Sequence, residues 1–294
     1  MTRYCGRLFS EADITLIRVL LEQCPKASRR ELSRQVCRAL SWLKPDGGLK
    51  DMSCRVAMLR MHRDGLIGLP ELPTPQPANF KRRTQVGAAS DPQSCITAAV
   101  HELPEPQIQP VSGRVNSRLW NEYIERYHYL GHCPLPGAQL RYFVSVNGQT
   151  VALLGFGAAA WKTAPRDRFI GWDAAQRTAR LHLIVGNARF LILPWVQCKG
   201  LASKILGRIA RQLPSDWTRC YGYRPVLLET FVQSDRFRGT CYKAANWLHV
   251  GQTQGRGKLD VTHRHAQPIK DVWLYPLHRQ FRQVLTQPDH RPDP

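Results

Sequence analysis

The sequence predicts a mixed α/β (α+β) protein, with a helical domain at the N-terminus followed by a domain built on a mixed sheet. Two observations predict this. Residues 1–72 contain three short amphipathic helical segments, and residues 180–247 contain an apolar strand, a tight turn, an amphipathic helix and a second apolar strand. A strand, helix and strand joined by short turns are typical of a parallel crossover unit.

Composition indicates a partner that is a polyanion. The chain has 294 residues, with 42 Lys and Arg against 22 Asp and Glu, which gives a net charge of +20. Such an excess attracts nucleic acid through counterion release, although a basic surface protein is the alternative. No apolar run is long enough for a membrane helix, so we expect a cytoplasmic protein that has no membrane contact. Nine scattered cysteines without a Cys-x-x-Cys pair indicate neither disulfides nor a metal site.

The first 72 residues are expected to form three helices. Ser10 and Ser28 can cap the first two, Asp51 starts the third, and Leu66–Leu69 would form a short strand or wing. Arginines cover one face of the second helix, so this segment is predicted to be a winged-helix DNA-binding domain. A helical docking domain is the alternative. The predicted nucleic-acid contacts of this domain are Arg29, Arg30, Arg34, Arg38 and Lys50.

Proline spacing and the absence of periodicity predict a basic linker over residues 73–113. The core domain is placed at 114–280, with a β-hairpin turning at Asn147-Gly148, and residues 281–294 are expected to be a disordered tail.

Two loops of the core domain combine basic residues with aromatic or glycine residues. Arg166, Arg168 and Trp172 are predicted to contact nucleic acid, because aromatic rings stack on unpaired bases while arginine binds phosphate. Arg256 and Lys258 lie among glycines, whose backbone N–H groups can converge on one oxyanion. A solvent-exposed hairpin tip is the alternative for the second loop.

The turn between the strand and the helix of the crossover unit carries small residues at a helix start. Gln197, Gly200 and Ala202 have a spacing that resembles the acyl-CoA pyrophosphate loop of the GNAT acetyltransferase fold. A helix N-terminus attracts an anion such as pyrophosphate. Close packing of helix on sheet explains the same small residues.

A series of longer motifs, in order, resembles one family. They are Tyr127 to Gly131, Gly137 to Tyr142, Gly155 to Trp161, Pro165 to Trp172, Ala188 to Trp195, Leu228 to Val232, Arg236 to Trp247 and Gly251 to Gly257. The chain resembles the DruA-like family, named after a component of the Druantia phage-defence system and also found attached to insertion-sequence transposases. The resemblance implies a bacterial protein of phage defence or mobile elements, with a GNAT-like fold and with other defence or transposon proteins as possible partners.

Five residues near strand ends are candidates for catalysis. Glu229 is the expected acid or base, Tyr242 the proton donor or nucleophile, and His128 their partner, and Arg236 or Arg238 would stabilise charge.

The sequence favours the first of three functions. It is a DNA-binding enzyme that cleaves DNA or modifies its bases or backbone through a GNAT-like pocket. The second is an acyl-CoA-dependent N-acyltransferase, and the third is a non-catalytic DNA-recognition subunit that recruits a helicase or nuclease. Mg²⁺ and acetyl-CoA remain open as cofactors, and RNA remains open as the polyanion.

Overall fold

A computed structural model describes residues 1–25, 27–70, 84–255 and 267–287. The chain divides into two compact units, residues 1–82 and 83–294. The elements of the first unit are β1 (Thr2–Tyr4), β2 (Arg7–Phe9), α1 (Glu11–Gln23), α2 (Arg29–Ala39) and α3 (Asp51–Arg63).

The helix starts predicted for the first unit are confirmed. The Ser10 hydroxyl accepts a hydrogen bond from the Asp13 N–H, and the Ser28 hydroxyl accepts one from the Glu31 N–H. These bonds satisfy backbone donors that a helix start leaves free. The apolar face of each helix then packs into one core with the β1–β2 hairpin, which the sequence analysis did not predict.

The predicted wing after α3 is wrong. Residues 66–69 form a bend and irregular backbone instead of a strand. The Leu66 carbonyl accepts a hydrogen bond from Arg18 Nε, and the Ile67 carbonyl lies 3.0 Å from His62 Nδ1. Because side chains occupy these backbone acceptors and Ile67 is buried, the segment covers the core and pairs with no strand of the described part of the chain.

The second unit holds the larger core. Its elements are β3 (Ile96–Thr97), β4 (Gln107–Pro110), α4 (Gly113–Tyr127), β5 (Gln139–Val146), β6 (Gln149–Ala158), α5 (Ala164–Ile170), α6 (Ala174–Arg180), β7 (Ile184–Ile192), β8 (Val196–Gln197), α7 (Leu201–Tyr221), β9 (Leu227–Gln233), α8 (Thr240–Ala244), β10 (Leu248–Gln252), β11 (Lys270–Pro276) and α9 (Phe281–Thr286). No helix in the described ranges is long and apolar enough to cross a membrane.

A seven-stranded mixed sheet runs in the order β10-β11-β9-β7-β6-β5-β4. Strands β7 and β9 are parallel and α7 connects them, which confirms the predicted crossover unit. The hairpin between β5 and β6 turns at Asn147 and Gly148, both with positive φ, as expected of an Asn-Gly turn.

The two ends of the second unit differ from the prediction. Strands β3 and β4 lie inside residues 84–113, which were assigned to a linker, and β4 extends the edge of the main sheet. Helix α9 lies inside the predicted disordered tail, with Phe281 and Leu285 buried. Both segments are short and polar overall, so their few anchoring side chains leave no periodic pattern.

A bulge in β7 opens the sheet next to the crossover. Asn187 pairs with Phe156 and Arg189 pairs with Gly155, so Ala188 has no partner on β6. Strand β9 pairs with β7 only as far as Asn187. The two parallel strands therefore separate beyond this residue.

Candidate functional site: a basic and aromatic surface beside the sheet

An exposed loop after β9 carries an aromatic ring between two arginines. Phe237 is 44% exposed although it is a large apolar side chain, and Arg236 and Arg238 are also exposed. The Arg236 guanidinium lies 4.8 Å from the ring centre of Tyr129, and the Tyr129 and Phe237 rings are 5.1 Å apart. We call Tyr129, Arg236, Phe237 and Arg238 the aromatic patch.

Two anchors hold this loop against the sheet. The N–H groups of Arg236 and Phe237 donate to the Gln233 carbonyl, which closes a tight turn after β9. Gly239 then has a φ of +64°, and a β-carbon added there would lie 2.8 Å from the Trp273 ring. Only glycine fits such a position without strain. The exposed ring is therefore presented by a fixed loop.

The segment from Tyr127 to Gly131 continues the patch into the protein. His128 is buried, its ring stacks on Tyr129 with centres 4.9 Å apart, and its Nδ1 accepts a hydrogen bond from the Leu130 N–H. Burial, together with the charge of Arg189, lowers the pKa of His128 to about 4. The imidazole is therefore neutral at physiological pH. It packs against the Tyr129 ring and holds it in place.

Glu229 occupies a closed ion-pair network. Its Oε2 accepts from Arg166 Nη1 at 2.8 Å and its Oε1 accepts from the Ala160 N–H at 2.7 Å. Arg166 also donates to Asp167 Oδ1. Burial raises the pKa of Glu229, while the Arg166 guanidinium and the Ala160 N–H oppose that shift. Because Glu229 is 0% exposed with both oxygens occupied, this arrangement offers no open acid or base.

The same network corrects two predicted nucleic-acid contacts. Arg166 is 0% exposed and Trp172 is 7% exposed. The Trp172 Nε1–H donates to Asp167 Oδ1, and Arg166 lies over the Trp172 ring. Both predictions are wrong, because the segment forms a buried cluster and not a surface loop. The charge of Arg166 is paired inside the protein with Asp167 and Glu229. Arg168, from the same segment, is exposed.

Tyr242 lies away from Glu229. Its hydroxyl donates to Asn187 Oδ1 at 2.8 Å, at the bulge of β7, and burial raises its pKa above the usual tyrosine value. Thr230, which follows Glu229, donates its hydroxyl to the Asn187 carbonyl. Since neighbouring residues of a strand face opposite sides of a sheet, Tyr242 and Glu229 are on opposite faces. The two predicted catalytic side chains therefore do not share one pocket.

The predicted acyl-CoA loop begins α7. Gln197 and Gly200 are exposed and Ala202 is partly exposed, and Gly200 starts the helix with a φ of +88°. A β-carbon at Gly200 would lie 3.4 Å from the Val100 side chain. Glu105 pairs with Lys204 and Arg208 in the first two turns of α7. Residues before β4 thus cover part of the helix start and bring negative charge to it.

The basic residues predicted in the first unit differ in accessibility. Arg30, Arg34 and Arg38 are exposed on α2, and Arg38 lies 3.7 Å from Glu31. Arg29 instead donates from Nε and Nη2 to the Pro70 carbonyl, so it holds the segment that follows α3. Lys50 is partly exposed at the start of α3. Arg256 and Lys258 lie outside the described residues.

Sequence reasoning missed the aromatic members of the patch and two strand arginines, Arg141 and Arg189. Phe237 is the only apolar residue in a polar loop, which was a usable signal. Arg141 and Arg189 are the charged residues of strands that are otherwise mainly apolar. A charged residue at such a position needs a polar or ionic partner, and this could have drawn attention to both.

The fold and this surface define a mixed α/β protein with an exposed patch of arginines and aromatic rings. Residues 61–270 match the family described as Druantia protein DruA, and the chain belongs to this family. It is 30% identical over 133 residues to the Druantia protein DruA of Escherichia coli (strain UMEA 4076-1), an alignment that covers 42% of this chain. That alignment covers 33% of the relative, so the chain spans about a third of the relative's length.

Solved acetyltransferases are similar to part of the chain. The ribosomal-protein-S18-alanine N-acetyltransferase from Escherichia coli aligns with a TM-score of 0.38 and 12% identity over 58% of this chain and 94% of its own. An aminoglycoside acetyltransferase in complex with coenzyme A aligns with a TM-score of 0.39 and 13% identity over 61% of this chain and 98% of its own. Likeness at this level carries no conclusion about chemistry.

Proposed function

We propose that this chain binds DNA and acts in phage defence or on a mobile element. The observation that carries the proposal is the aromatic patch, in which Phe237 is exposed beside Arg236 and Tyr129. Net charge of +20 supports a polyanionic partner, and membership of the DruA family supports the biological setting.

The patch suits unpaired bases better than a duplex groove. A base stacked on an aromatic ring contributes about 1–3 kcal/mol, and neighbouring arginines bind the backbone phosphates. Arg236 and Arg238 form no ion pair with a described residue, so their charge is available to phosphate. Single-stranded or locally opened DNA is therefore the expected ligand, with RNA as the alternative that the same chemistry accepts.

A stronger form of the proposal is that the protein cleaves or modifies the DNA that it binds. Arg236 and Arg238 would stabilise developing negative charge there. The buried Glu229 and Tyr242 hold the fold in this structure, so neither is assigned as the reacting group. A recognition subunit that recruits a helicase or nuclease is the non-catalytic form of the same proposal.

Fluorescence anisotropy with the full chain tests the binding. Labelled single-stranded DNA, duplex DNA and single-stranded RNA of one sequence are compared across a salt titration. Phe237→Ala should weaken single-strand binding about ten-fold or more, and Arg236→Gln should lower the salt slope by about 1. Trp161→Ala is the matched control, because Trp161 is 54% exposed beside Arg177, whose charge is already paired with Asp167.

Catalysis is tested in the same preparation. The protein is incubated with each nucleic acid with and without Mg²⁺, and products are examined by gel and by mass. Cleavage or a mass change that Arg236→Gln abolishes supports the enzyme. Tight binding with unaltered nucleic acid supports the recognition subunit. Failure of all three nucleic acids to bind would contradict the proposal as a whole.

An acyl-CoA-dependent N-acyltransferase is a second candidate, supported by the exposed start of α7 at Gln197 and Gly200. Acetyl-CoA should raise the melting temperature at micromolar concentration, and Gly200→Asp should remove that shift. No shift even at millimolar acetyl-CoA would exclude this candidate.

A further inference from the structure

Two arginines flank a glycine on one face of the main sheet. Gly155 on β6 pairs with Arg141 on β5 and with Arg189 on β7. Residues paired in this way project from the same face, and neighbouring strands lie about 4.8 Å apart. The backbones of Arg141 and Arg189 therefore lie about 10 Å apart, on either side of Gly155. The glycine places no β-carbon between them.

The Trp120 ring of α4 packs directly against Gly155 on this face of the sheet. A β-carbon at Gly155 would lie 3.1 Å from the Trp120 ring, so the glycine is what allows the ring to approach the sheet. The Trp120 Nε1–H donates to the Tyr142 carbonyl, and the Arg141 guanidinium lies 5.3 Å from the ring centre. The side chains around the glycine are thus held in place before any ligand arrives.

Neither arginine has a carboxylate partner among the described residues. Arg141 donates to the neutral oxygens of Asn121 and Ser117. Arg189 donates from Nη1 to the Ala188 carbonyl, and its Nε is buried with no hydrogen-bond partner in the described chain. Burial lowers the pKa of both guanidinium groups, and for Arg189 the nearby Cys133 and Tyr129 oppose that shift only in part.

The nearby carboxylate of Glu125 is engaged by the backbone and not by either arginine. Burial lowers the pKa of His132, Glu125 opposes that shift, and Arg141 and Arg189 add to it. The carboxylate of Glu125 accepts from the His132 N–H at 2.7 Å, so it serves the backbone of that turn. Beside Arg141 lies an open cavity of about 150 Å³, lined by residues that include Trp120, Asn121, His132, Cys133, Gln139 and Arg141.

We propose that Arg141 and Arg189 form a phosphate-binding site. Guanidinium groups bind phosphate oxygens through paired N–H donors, and a phosphate here would supply the missing negative charge. The source that we favour is the nucleic acid, and in this respect the inference rests on the proposed function. Tyr129 lies near both regions: its ring centre is 4.8 Å from the Arg236 guanidinium, and burial raises the pKa of its hydroxyl while the charges of Arg189 and Arg236 oppose that rise. A phosphate at the arginine pair would then accompany a base stacked at the aromatic patch.

Thermal unfolding of the full chain with inorganic pyrophosphate tests the site independently of nucleic acid. Pyrophosphate should raise the melting temperature of the wild type, and Arg189→Gln and Arg141→Gln should each remove most of that shift. Arg211→Gln is the matched control, because Arg211 is exposed on α7, which packs on the opposite face. Arg189→Lys keeps the charge and loses the fork, so it should retain a smaller shift. Circular dichroism establishes that each variant is folded.

The source of the phosphate is identified with oligonucleotides of one sequence that end in a 5′-phosphate or a 5′-hydroxyl. Tighter binding of the phosphorylated strand, lost in Arg189→Gln, identifies a terminal phosphate. Equal binding of both strands, weakened about ten-fold in Arg189→Gln, identifies a backbone phosphodiester. Pyrophosphate binding without any oligonucleotide binding supports the site and contradicts the proposed function.

Two results would overturn the inference. One is a pyrophosphate shift that is absent in the wild type, and the other is a shift that is unchanged in folded Arg189→Gln and Arg141→Gln. Either would leave the proposed function standing if Phe237→Ala still weakened DNA binding.

Discussion

The Arg166 guanidinium and the Glu229 carboxylate form an ion pair at 2.8 Å in which both side chains are 0% exposed. Removing one partner from a buried pair leaves the other charge without compensation, which costs about 3–5 kcal/mol. Glu229→Gln should therefore lower the free energy of unfolding by that amount in urea titration. Arg38→Gln, which removes an exposed partner of Glu31 at 3.7 Å, should change it by less than about 1 kcal/mol.

The double variant Arg166→Met/Glu229→Leu distinguishes the contribution of the ion pair from that of side-chain packing. Its cost should be smaller than the sum of the single costs, because no charge is left alone in the interior. Additive single costs would contradict a direct ion pair. Full stability of Glu229→Gln would show that Glu229 is not confined as the structure describes.

Gly155 is required for its lack of a side chain. In Gly155→Ala the new methyl group would meet the Trp120 ring at 3.1 Å and the Arg189 β-carbon at 3.3 Å. Overpacking of this kind costs about 1–3 kcal/mol. Gly207→Ala is the control, because that position in α7 has no heavy atom within 4 Å, and alanine in a helix is favoured by up to about 1 kcal/mol. Chemical denaturation should show a lower free energy of unfolding for Gly155→Ala and a higher one for Gly207→Ala. A change of the same sign in both variants would contradict the packing of Trp120 on Gly155.

Tyr242 is predicted to stabilise the bulge in β7. Tyr242→Phe deletes the hydroxyl that donates to Asn187 Oδ1 and leaves a buried acceptor unsatisfied, at a cost of about 1–3 kcal/mol. Urea titration measures the loss. Tyr129→Phe is the control, because the Tyr129 hydroxyl forms no hydrogen bond within the described ranges. A loss of DNA processing in Tyr242→Phe at unchanged stability would instead favour the sequence-based assignment of this residue as a proton donor.

The crossover unit was predictable because its strands are mainly apolar and its helix is amphipathic. Ser10 and Ser28 were predictable as helix caps because capping is local chemistry. Strand β4 and helix α9 were not, because their positions depend on a few contacts with a distant core. Their sequences hold too few apolar residues to set a period.

The candidate site was predicted less well than the fold. Arg236 was identified by its charge near a strand end, but charge alone does not tell an exposed arginine from a buried one. Arg166 illustrates this, since its partner Glu229 is 63 residues away. Arg141 and Arg189 flank Gly155 because both pair with it in the sheet. Strand register brings together residues that no local sequence pattern relates.

His128 makes stability depend on pH. Burial lowers its pKa from 6.5 to about 4, so the unfolded chain takes up a proton at a pH where the folded protein does not. Stability from this group is full above the unfolded pKa and is lost as the pH falls from 6.5 towards 4. The free energy of unfolding should fall by about 2 kcal/mol between pH 7 and pH 5.

His128→Gln should remove most of that decrease in urea titrations at the two pH values, since glutamine can accept the Leu130 N–H without titrating. His132, whose pKa is also lowered by burial, adds to the decrease in the same direction, so His132→Gln should remove a further part. An identical decrease in wild type and His128→Gln would show that this imidazole is not held neutral.

The exposed arginines of α2 are expected to bind nucleic acid through charge. Replacing Arg30, Arg34 and Arg38 together by Gln should weaken DNA binding about equally for all sequences and reduce the salt slope by up to about 3, because each arginine that contacts phosphate releases about one counterion. Arg29 is different, because its Nε and Nη2 donate to the Pro70 carbonyl at 3.0 Å and 2.7 Å. Arg29→Gln should therefore lower the stability of the first unit and have a smaller effect on the salt dependence of binding. Anisotropy titrations at several salt concentrations, with urea unfolding of each variant, distinguish these effects. An unchanged slope in the triple variant would remove α2 from the DNA-binding surface.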